Sequence, residues 1–238
     1  MPPARHGNKV PRDEVARMFD DIAPVYDRLN TLMTFGLDRG WRRAAVDAAE
    51  LVPGSTVADV ACGTGKLTAA LAERVGPFGR VVGIDLSDGM LELARSEYRD
   101  IVQVEFRKGD ALALPLEDGE VDAATIAFGL RNLADFEAGF RELARVVRPA
   151  GRVVCLELTM PRPRWLGRLY HGAFRTTAPL AGSIFGRKQA YRYLPDSLEG
   201  FPDADLLAST MHAAGLGDVG YRRLGLGMVA LHRGSVPG

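Results

Sequence analysis

The sequence predicts an α/β domain with a mostly parallel sheet, and three observations carry that prediction. Apolar, β-branched runs alternate with helical patterns of about ten residues, which is the signature of βαβ units. The first such run, Ser55–Val60, leads into a glycine turn, Asp59-Val-Ala-Cys62-Gly63-Thr64-Gly65, from which a helix starts. The second, Arg80–Ile84, ends in Asp85, an acid where α/β sheets take a ribose hydroxyl pair. Right-handed crossovers then bring the strand C-termini, and the ligand, to one edge.

Taken in order, residues 1–12 carry Pro, Gly and basic residues without an apolar stretch, and are expected to form a flexible tail, not a secretory signal. Residues 13–238 are expected to form one domain that opens on a helical cover, 13–51. There Val15, Met18, Phe19 and Ile22 fall at helical spacing, a break is expected near Ala23-Pro24, and a second helix spans Trp41–Leu51. The glycine turn precedes a helix over Leu67–Val75. Ser87 caps a helix over Gly89–Tyr98, and strands follow at Gln103–Arg107 and Val121–Phe128. Asp135 caps Phe136–Val147, and Arg152–Leu158 is the fifth strand. The alternation lapses over 159–195, an insertion. A helix over Ala204–Ala214 lies between the cap Asp203 and the stop Gly215. Strands Asp218–Leu224 and Met228–His232 then flank Gly225-Leu-Gly227, a hairpin signal.

The totals exclude several classes. Lys+Arg and Asp+Glu are 30 each, so no net charge favours nucleic acid. No apolar run approaches the ~18 residues of a spanning helix. Cys62 and Cys155 fall in separate elements, without the spacing of a disulfide or zinc framework, which fits a reducing cytoplasm. No metal is expected.

The glycine turn alone says only that a nucleoside-containing ligand binds. A dinucleotide fingerprint needs a third glycine where this chain has Thr68, and Asp59 would repel a pyrophosphate. A carboxylate at Asp59 suits the ammonium of an amino-acid moiety. Asp85 suits a ribose. Asp110, after the third strand, or the neighbouring amide, suits the exocyclic amine and ring nitrogen of adenine. Amine, ribose and adenine without phosphate describe S-adenosyl-L-methionine, with Gly63 and Gly65 allowing its close approach to the backbone.

On these residues the chain resembles the class I S-adenosylmethionine-dependent methyltransferases. It resembles more narrowly the family that C-methylates quinone precursors in menaquinone and ubiquinone biosynthesis. The narrower resemblance rests on Tyr26-Asp-Arg-Leu-Asn30, Gly36-Leu-Asp-Arg39 with Trp41, Phe128-Gly-Leu-Arg-Asn132, Arg145-Val-Val-Arg-Pro-Ala-Gly151, Tyr191-Arg-Tyr-Leu194 and Val229-Ala-Leu-His-Arg-Gly234. It implies a Rossmann-like, seven-stranded sheet with an antiparallel C-terminal hairpin, and cofactor contacts at Thr68, Asp85, Asp110 and Ala111. Two positions depart from the family. Ala150 replaces a usual Gly, read as a harmless loop change. Ala127 replaces a Ser found in some ubiquinone-pathway members, which favours the menaquinone branch.

The reaction so implied needs an aligned methyl donor, stabilisation of a phenolate and an acceptor for its proton. Arg131, beyond the fourth strand, is expected to stabilise the phenolate and position water, with Asn132 orienting it. The other role open to Arg131 is a structural ion pair at the sheet edge. Tyr26 is expected to hydrogen-bond the quinol or a relay water. By residue type His171 is a further candidate for the base, though its place in the insertion favours a solvated, interfacial histidine; Glu157, ending the fifth strand, is a competing base or a cap, and the proton acceptor stays open. Cys62 is expected to pack in its loop, because sulfonium methyl transfer needs no thiol.

Between Leu158 and Pro195 there is no Asp or Glu, whereas Arg162, Arg164, Arg168, Arg175, Arg187, Lys188 and Arg192 gather among Trp165, Tyr170, Phe174, Phe185, Tyr191 and Tyr193. Basic residues among amphipathic rings suit an anionic bilayer surface, so 162–193 is expected to make peripheral contact at the inner face of the cell membrane. A substrate lid or dimer surface is the other reading of that stretch, and a homodimer stays open. The expected reaction is methylation of a polyprenylated demethylnaphthoquinol at a ring carbon. The alternatives are a 2-polyprenyl-6-methoxybenzoquinol, another phenol or lipid, or a non-catalytic scaffold.

Overall fold

The computed structural model describes residues 7–8, 10–34, 36–159 and 201–238. Residues 1–6 of the expected tail, nearly all of the 159–195 insertion, His171 and the Tyr191–Leu194 motif lie outside the described residues. Among the described residues seven strands form one sheet: β1 Thr56–Val60, β2 Arg80–Asp85, β3 Val104–Lys108, β4 Val121–Ala127, β5 Val147–Leu158, β6 Gly217–Leu224 and β7 Val229–Ser235. Their order is β3-β2-β1-β4-β5-β7-β6, and every pairing is parallel except those of β7 with β5 and β6. The expected parallel sheet with an antiparallel C-terminal hairpin is present. Strand order reverses between β1 and β4, so the crevice at their C-terminal ends is the place where open α/β sheets bind ligands.

Helices cover both faces, which is why the central strands read as nearly continuous apolar runs. On one face Ala58, Val60, Ile84, Ile126 and Cys155 pack against Phe140 and Leu143 of α5 (Phe136–Val146) and Met211 of α6 (Ala204–Ala213). Burying a side chain such as Phe140, fully out of solvent, contributes about 2–3 kcal/mol. The alternate residues Val57, Val81, Ala123 and Val154 meet Trp41 and Ala45 of α2 (Asp38–Ala48) and Leu67 and Leu71 of α3 (Lys66–Val75). This second face also carries Asp59, whose register partners are Gly83 on β2 and Thr125 on β4. The caps expected from sequence form. Ser87 accepts from Met90 N at 3.1 Å and so starts α4 (Asp88–Glu97), Asp135 accepts from Ala138 N at 2.9 Å, and Asp203 accepts from Leu206 N at 3.0 Å.

Three local expectations are corrected. The break at Ala23-Pro24 is absent, and α1 runs through it from Arg12 to Met33. A proline inside a helix removes one hydrogen bond and costs about 3 kcal/mol. Here the ring faces solvent, while Ile22, Ala23 and Leu29 are buried with Met90 of α4. Asp20, one turn before the proline, also accepts from Ser87 Oγ at 2.5 Å and Gly89 N at 2.9 Å, so both halves of α1 are held in line. The second helix is α2, which starts at Asp38, ahead of Trp41, and ends at Ala48. Finally, β5 begins at Val147 and carries an irregularity before Arg152, within which Ala150 sits at φ +63°. That left-handed conformation favours glycine, so Ala150 is a strained departure from the family pattern and not a neutral one.

Candidate active site

The glycine turn is built to bring backbone close to a ligand. Ala61, Gly63 and Gly65 all have positive φ, and Gly65 opens α3. A side chain at Gly65 would meet the Phe106 and Tyr98 rings at 2.9–3.0 Å. Across the crevice, a Cβ at Gly129 would lie 2.4 Å from that of Ala61, so the loops after β1 and β4 touch only because residue 129 has none. Phe128, beside it, is held at φ +59°, and sparsely populated backbone of this kind clusters at ligand sites.

These loops border a cavity of about 360 Å³, within the ~300–1,000 Å³ typical of small-molecule sites. Gly63, Asp85, Asp110, Ala111, Asn132 and Tyr26 line it. A narrower cleft continues from it along Asp59, Cys62, Thr64, Lys66 and Arg42. The two share Tyr26, Ala61, Gly63, Ala127 and Phe128, which therefore mark their junction. The donors and acceptors fit an amine-bearing nucleoside. Asp85 and Asp110 lie in the larger part and a third carboxylate, Asp59, in the smaller, with apolar walls from Val15, Phe19 and Met90.

Each carboxylate is prepared differently. Asp59 is buried, and its oxygens accept the hydroxyls of Thr68 at 2.6 Å and Thr125 at 2.9 Å. Burial pushes its pKa up to about 6, against the two hydroxyls and the nearby Arg42 charge. Asp85 accepts from Gly63 N at 2.7 Å and Ser87 N at 2.9 Å, which fixes the carboxylate to the turn. Burial raises its pKa too, opposed by those N–H groups. Asp110 is held by Leu112 N at 2.9 Å and by Arg12 at 2.7 Å.

The remaining expected residues do not all reach the cavity. Thr68 is fully buried behind Asp59 and lines neither space, and neither does Gly65. Tyr26 stands at the junction. Burial raises its pKa against Arg131, Asn30 and Arg42, so at neutral pH its phenol donates a hydrogen bond and does not act as a base. Asn132 lines the larger cavity, whereas the Arg131 side chain is turned inward. Its Nη1 lies 2.6 Å from Glu157 and 2.6 Å from Phe128 O, and its own N–H reaches the other Glu157 oxygen at 3.2 Å. The buried ion pair that the sequence allowed for Arg131 is thus formed, and Glu157 is its partner. The Cys62 thiol is pushed well up by burial and by Asp85 and Asp59, so it is no thiolate nucleophile.

Sequence reasoning missed Arg42, Lys66 and the N-terminal segment. Gly7, Asn8 and Val10–Arg12 belong to the stretch expected as tail. Yet Asn8 N donates to Leu133 O at 2.7 Å, and Asn8, Val10, Pro11 and Arg12 line the cavity. The one signal for Arg42 was its i, i+4 spacing from Asp38, with which it pairs.

Among solved structures, a SAM-dependent methyltransferase from Aquifex aeolicus superposes with a TM-score of 0.61. It matches 82% of this chain and 89% of its own, at 21% identity, which bears on the fold alone. Two sequence relatives are much nearer. The demethylmenaquinone methyltransferase of Desulfitobacterium hafniense is 44% identical over 92% of this chain and 88% of its own length. That of Thermus thermophilus is 47% identical over 92% of this chain and 100% of its own. Residues 7–236 match the ubiE/COQ5 methyltransferase family. The chain belongs to that family, and its cofactor is the S-adenosyl-L-methionine to which the three acids point.

Proposed function

We propose that this protein methylates a ring carbon of a polyprenylated demethylnaphthoquinol in menaquinone biosynthesis. The observation that carries the reading is the junction at Tyr26, Ala127 and Phe128, where a cavity of about 360 Å³ lined by Asp85 and Asp110 meets a narrow, charged cleft lined by Asp59. When bound, S-adenosyl-L-methionine supplies an electrophilic methyl group on a sulfonium. Asp85 holds the ribose, Asp110 and the Ala111 amide take adenine, and Asp59, kept in place by Thr68, takes the ammonium. Gly63 lets the backbone approach, and Gly65, which lines neither space, supplies the left-handed turn into α3. Tyr26 donates to an oxygen of the quinol, and Asn132, which lines the same cavity, orients the ring. Arg131 supports the Phe128–Asn132 turn through Glu157, and its charge favours negative oxygen near Tyr26. The names of the near relatives support the naphthoquinol over the benzoquinol. A methylation assay on both quinols, with mass spectrometry of the products, tests this. Methylation of the benzoquinol alone would move the enzyme to the ubiquinone pathway, and cofactor binding without any product would make it a scaffold.

Among the described residues no helix is long and apolar enough to cross a membrane. We propose peripheral contact through 162–193, supported by seven basic residues and six aromatics with no acid among them. A prenyl tail held in the bilayer would present its ring at the surface that this segment contacts. Sedimentation with anionic liposomes tests the contact, and binding unaffected by neutralising Arg164, Arg168 and Arg175 together would refute it.

A further inference from the structure

Three exposed leucines stand at the sheet edge that holds the active site. Leu226 is the middle residue of the β6–β7 turn and is 90% exposed, while Leu37, just before α2, and Leu32, in the last turn of α1, are about half exposed. β6 runs in the same direction as β5, both being antiparallel to β7, so it ends in its turn at the active-site edge. α2 starts at that edge too. The Trp41 ring lies 6.3 Å from that of Phe128, and Trp41 N donates to Leu37 O one helical turn earlier. The β6–β7 turn is seated on the same tryptophan, because a Cβ at Gly225 would lie only 2.7 Å from the Trp41 ring. Leu37 and Leu226 therefore flank Trp41, one along the helix and one along the turn. Leu226 does not suit its own backbone. Gly225, Leu226 and Gly227 have φ of +56°, +57° and +87°, a left-handed run that favours glycine or asparagine, and a leucine so exposed gains little packing there.

An apolar track joins these leucines to the chemistry. Phe128 marks the junction of cavity and cleft, Trp41 packs beside it, and Leu158, Leu224 and Met228 belong to the same cluster. The charge around the leucines has one sign. Residues 28–43 contain a single acid, Asp38, which is buried and paired with Arg42, whereas Arg28, Arg39 and Arg43 are exposed. Residues 219–233 contain no acid, and Arg222 is exposed. The far edge differs. Val52, Phe78 and Val102 precede β1, β2 and β3 and are exposed as well, but the arginines there, Arg80 and Arg99, are paired with Glu105, Glu120 and Asp100. The basic segment proposed to meet the membrane follows Thr159 in sequence, and Thr159 N donates to Met228 O at 2.9 Å, two residues past Leu226. Apolar side chains among unopposed positive charge match an anionic bilayer surface. We infer that Leu226, Leu37 and Leu32 insert into the bilayer, and that the prenyl tail of the quinol passes from it along Trp41 to the Phe128 junction. This rests on the proposed polyprenylated substrate, yet it uses elements other than 162–193. Basic residues hold a membrane by charge, which salt screens; the leucines hold it by burial, which salt does not weaken.

The test is sedimentation of the full chain with phosphatidylcholine vesicles, with and without phosphatidylglycerol, at low and high salt. Wild type should keep part of its binding at high salt. The double variant Leu37→Gln/Leu226→Asn should lose about tenfold or more of that remaining partition, as expected for two leucines withdrawn from hydrocarbon. Asparagine suits the left-handed turn, so the fold is kept. The far-edge variant Phe78→Gln should bind as wild type does. Methylation of a polyprenylated demethylnaphthoquinol carried in the same vesicles should fall in kcat/KM by about the same factor in the double variant, while methylation of a tail-less naphthoquinol in solution stays unchanged. Wild-type binding that vanishes at high salt, or a double variant that binds as wild type does, would overturn the proposal. So would an equal loss of both activities, which would make these leucines a structural part of the site. Dimers in ultracentrifugation that the double variant dissociates would give this surface to a second copy and overturn it as well. If wild type methylates neither quinol, the reaction assigned above fails by itself, and sedimentation still decides whether the leucines enter a bilayer.

Discussion

Thr68 Oγ1 lies 2.6 Å from Asp59 Oδ2, and both residues are shut off from solvent. A contact to the cofactor was expected of Thr68 itself, yet the hydroxyl is spent on aiming the carboxylate. Thr68→Val should therefore weaken cofactor binding through Asp59, by about 1.5 kcal/mol or roughly tenfold. Thr68→Ser should restore it. Calorimetry showing wild-type affinity in the valine variant would mean that Asp59 does not depend on this bond.

The raised pKa of Asp59 has a signed consequence. Its folded value, about 6, lies above the ordinary aspartate value of 3.8, so the folded chain binds more protons than the unfolded chain between them. This contribution lowers stability as pH rises from about 4 to about 6, by about 3 kcal/mol at most. Asp59→Asn should remove that slope, so the two proteins should converge near pH 4 and the variant should be the more stable above pH 6. Other acids, such as Asp38 and Glu142, have lowered values and slope the opposite way, so the difference between wild type and variant is the quantity to follow. Urea titrations across that range measure it, and parallel curves would contradict the burial argument. Cofactor affinity should rise over the same window, because an ammonium needs the ionised acid.

What was legible in the sequence was local. Glycines at 63 and 65, the acid after β2 and the caps Ser87, Asp135 and Asp203 each follow from one residue's own backbone or side-chain preference. What was not legible depends on partners far along the chain. Pro24 reads as a break until Asp20 is seen bonded to Ser87 and Gly89. Nothing in the segment up to the first residue of α1 announces that Asn8 will meet Leu133 or that Arg12 will meet Asp110. Arg42 is one of three arginines within five residues, and only the fold turns it inward while Arg39 and Arg43 stay exposed.

The Arg131–Glu157 pair separates structure from chemistry. Removing one member of a buried pair costs about 3–5 kcal/mol, because the other charge is left uncompensated. Arg131→Ala should thus lose stability as well as turnover, the latter by about 10²-fold or more if its charge favours the phenolate. Arg131→Gln/Glu157→Gln removes both charges and should recover much of the stability. Steady-state rates then decide the role: recovered turnover in the double variant would reduce Arg131 to a structural support.

Ala150 offers a gain. At φ +63° a residue with a Cβ is strained by about 1–2 kcal/mol, and glycine's extra unfolded-state entropy returns only part of that. Ala150→Gly should stabilise the protein by about 0.5–1 kcal/mol with no change in turnover. Denaturation midpoints measure the gain, and a lower midpoint would show that the strained turn is supported by contacts of the methyl group.

Arg12 and Asp110 make the last case, because their pairing occupies the acid assigned to adenine. Nη1 of Arg12 holds Asp110 Oδ2 at 2.7 Å while Oδ1 takes Leu112 N. The Arg12 side chain is 70% exposed, so the pair adds at most about 1 kcal/mol to stability and weakens with salt. If Oδ2 must turn to the adenine amine, Arg12 competes with the ligand. Arg12→Ala should then leave the unfolding midpoint unchanged and tighten cofactor binding, by no more than about fivefold. Calorimetry at low and high salt should show wild type approaching the variant as salt rises. Weaker binding in Arg12→Ala would reverse the assignment, making Arg12 a ligand contact that closes the start of α1 over the nucleoside.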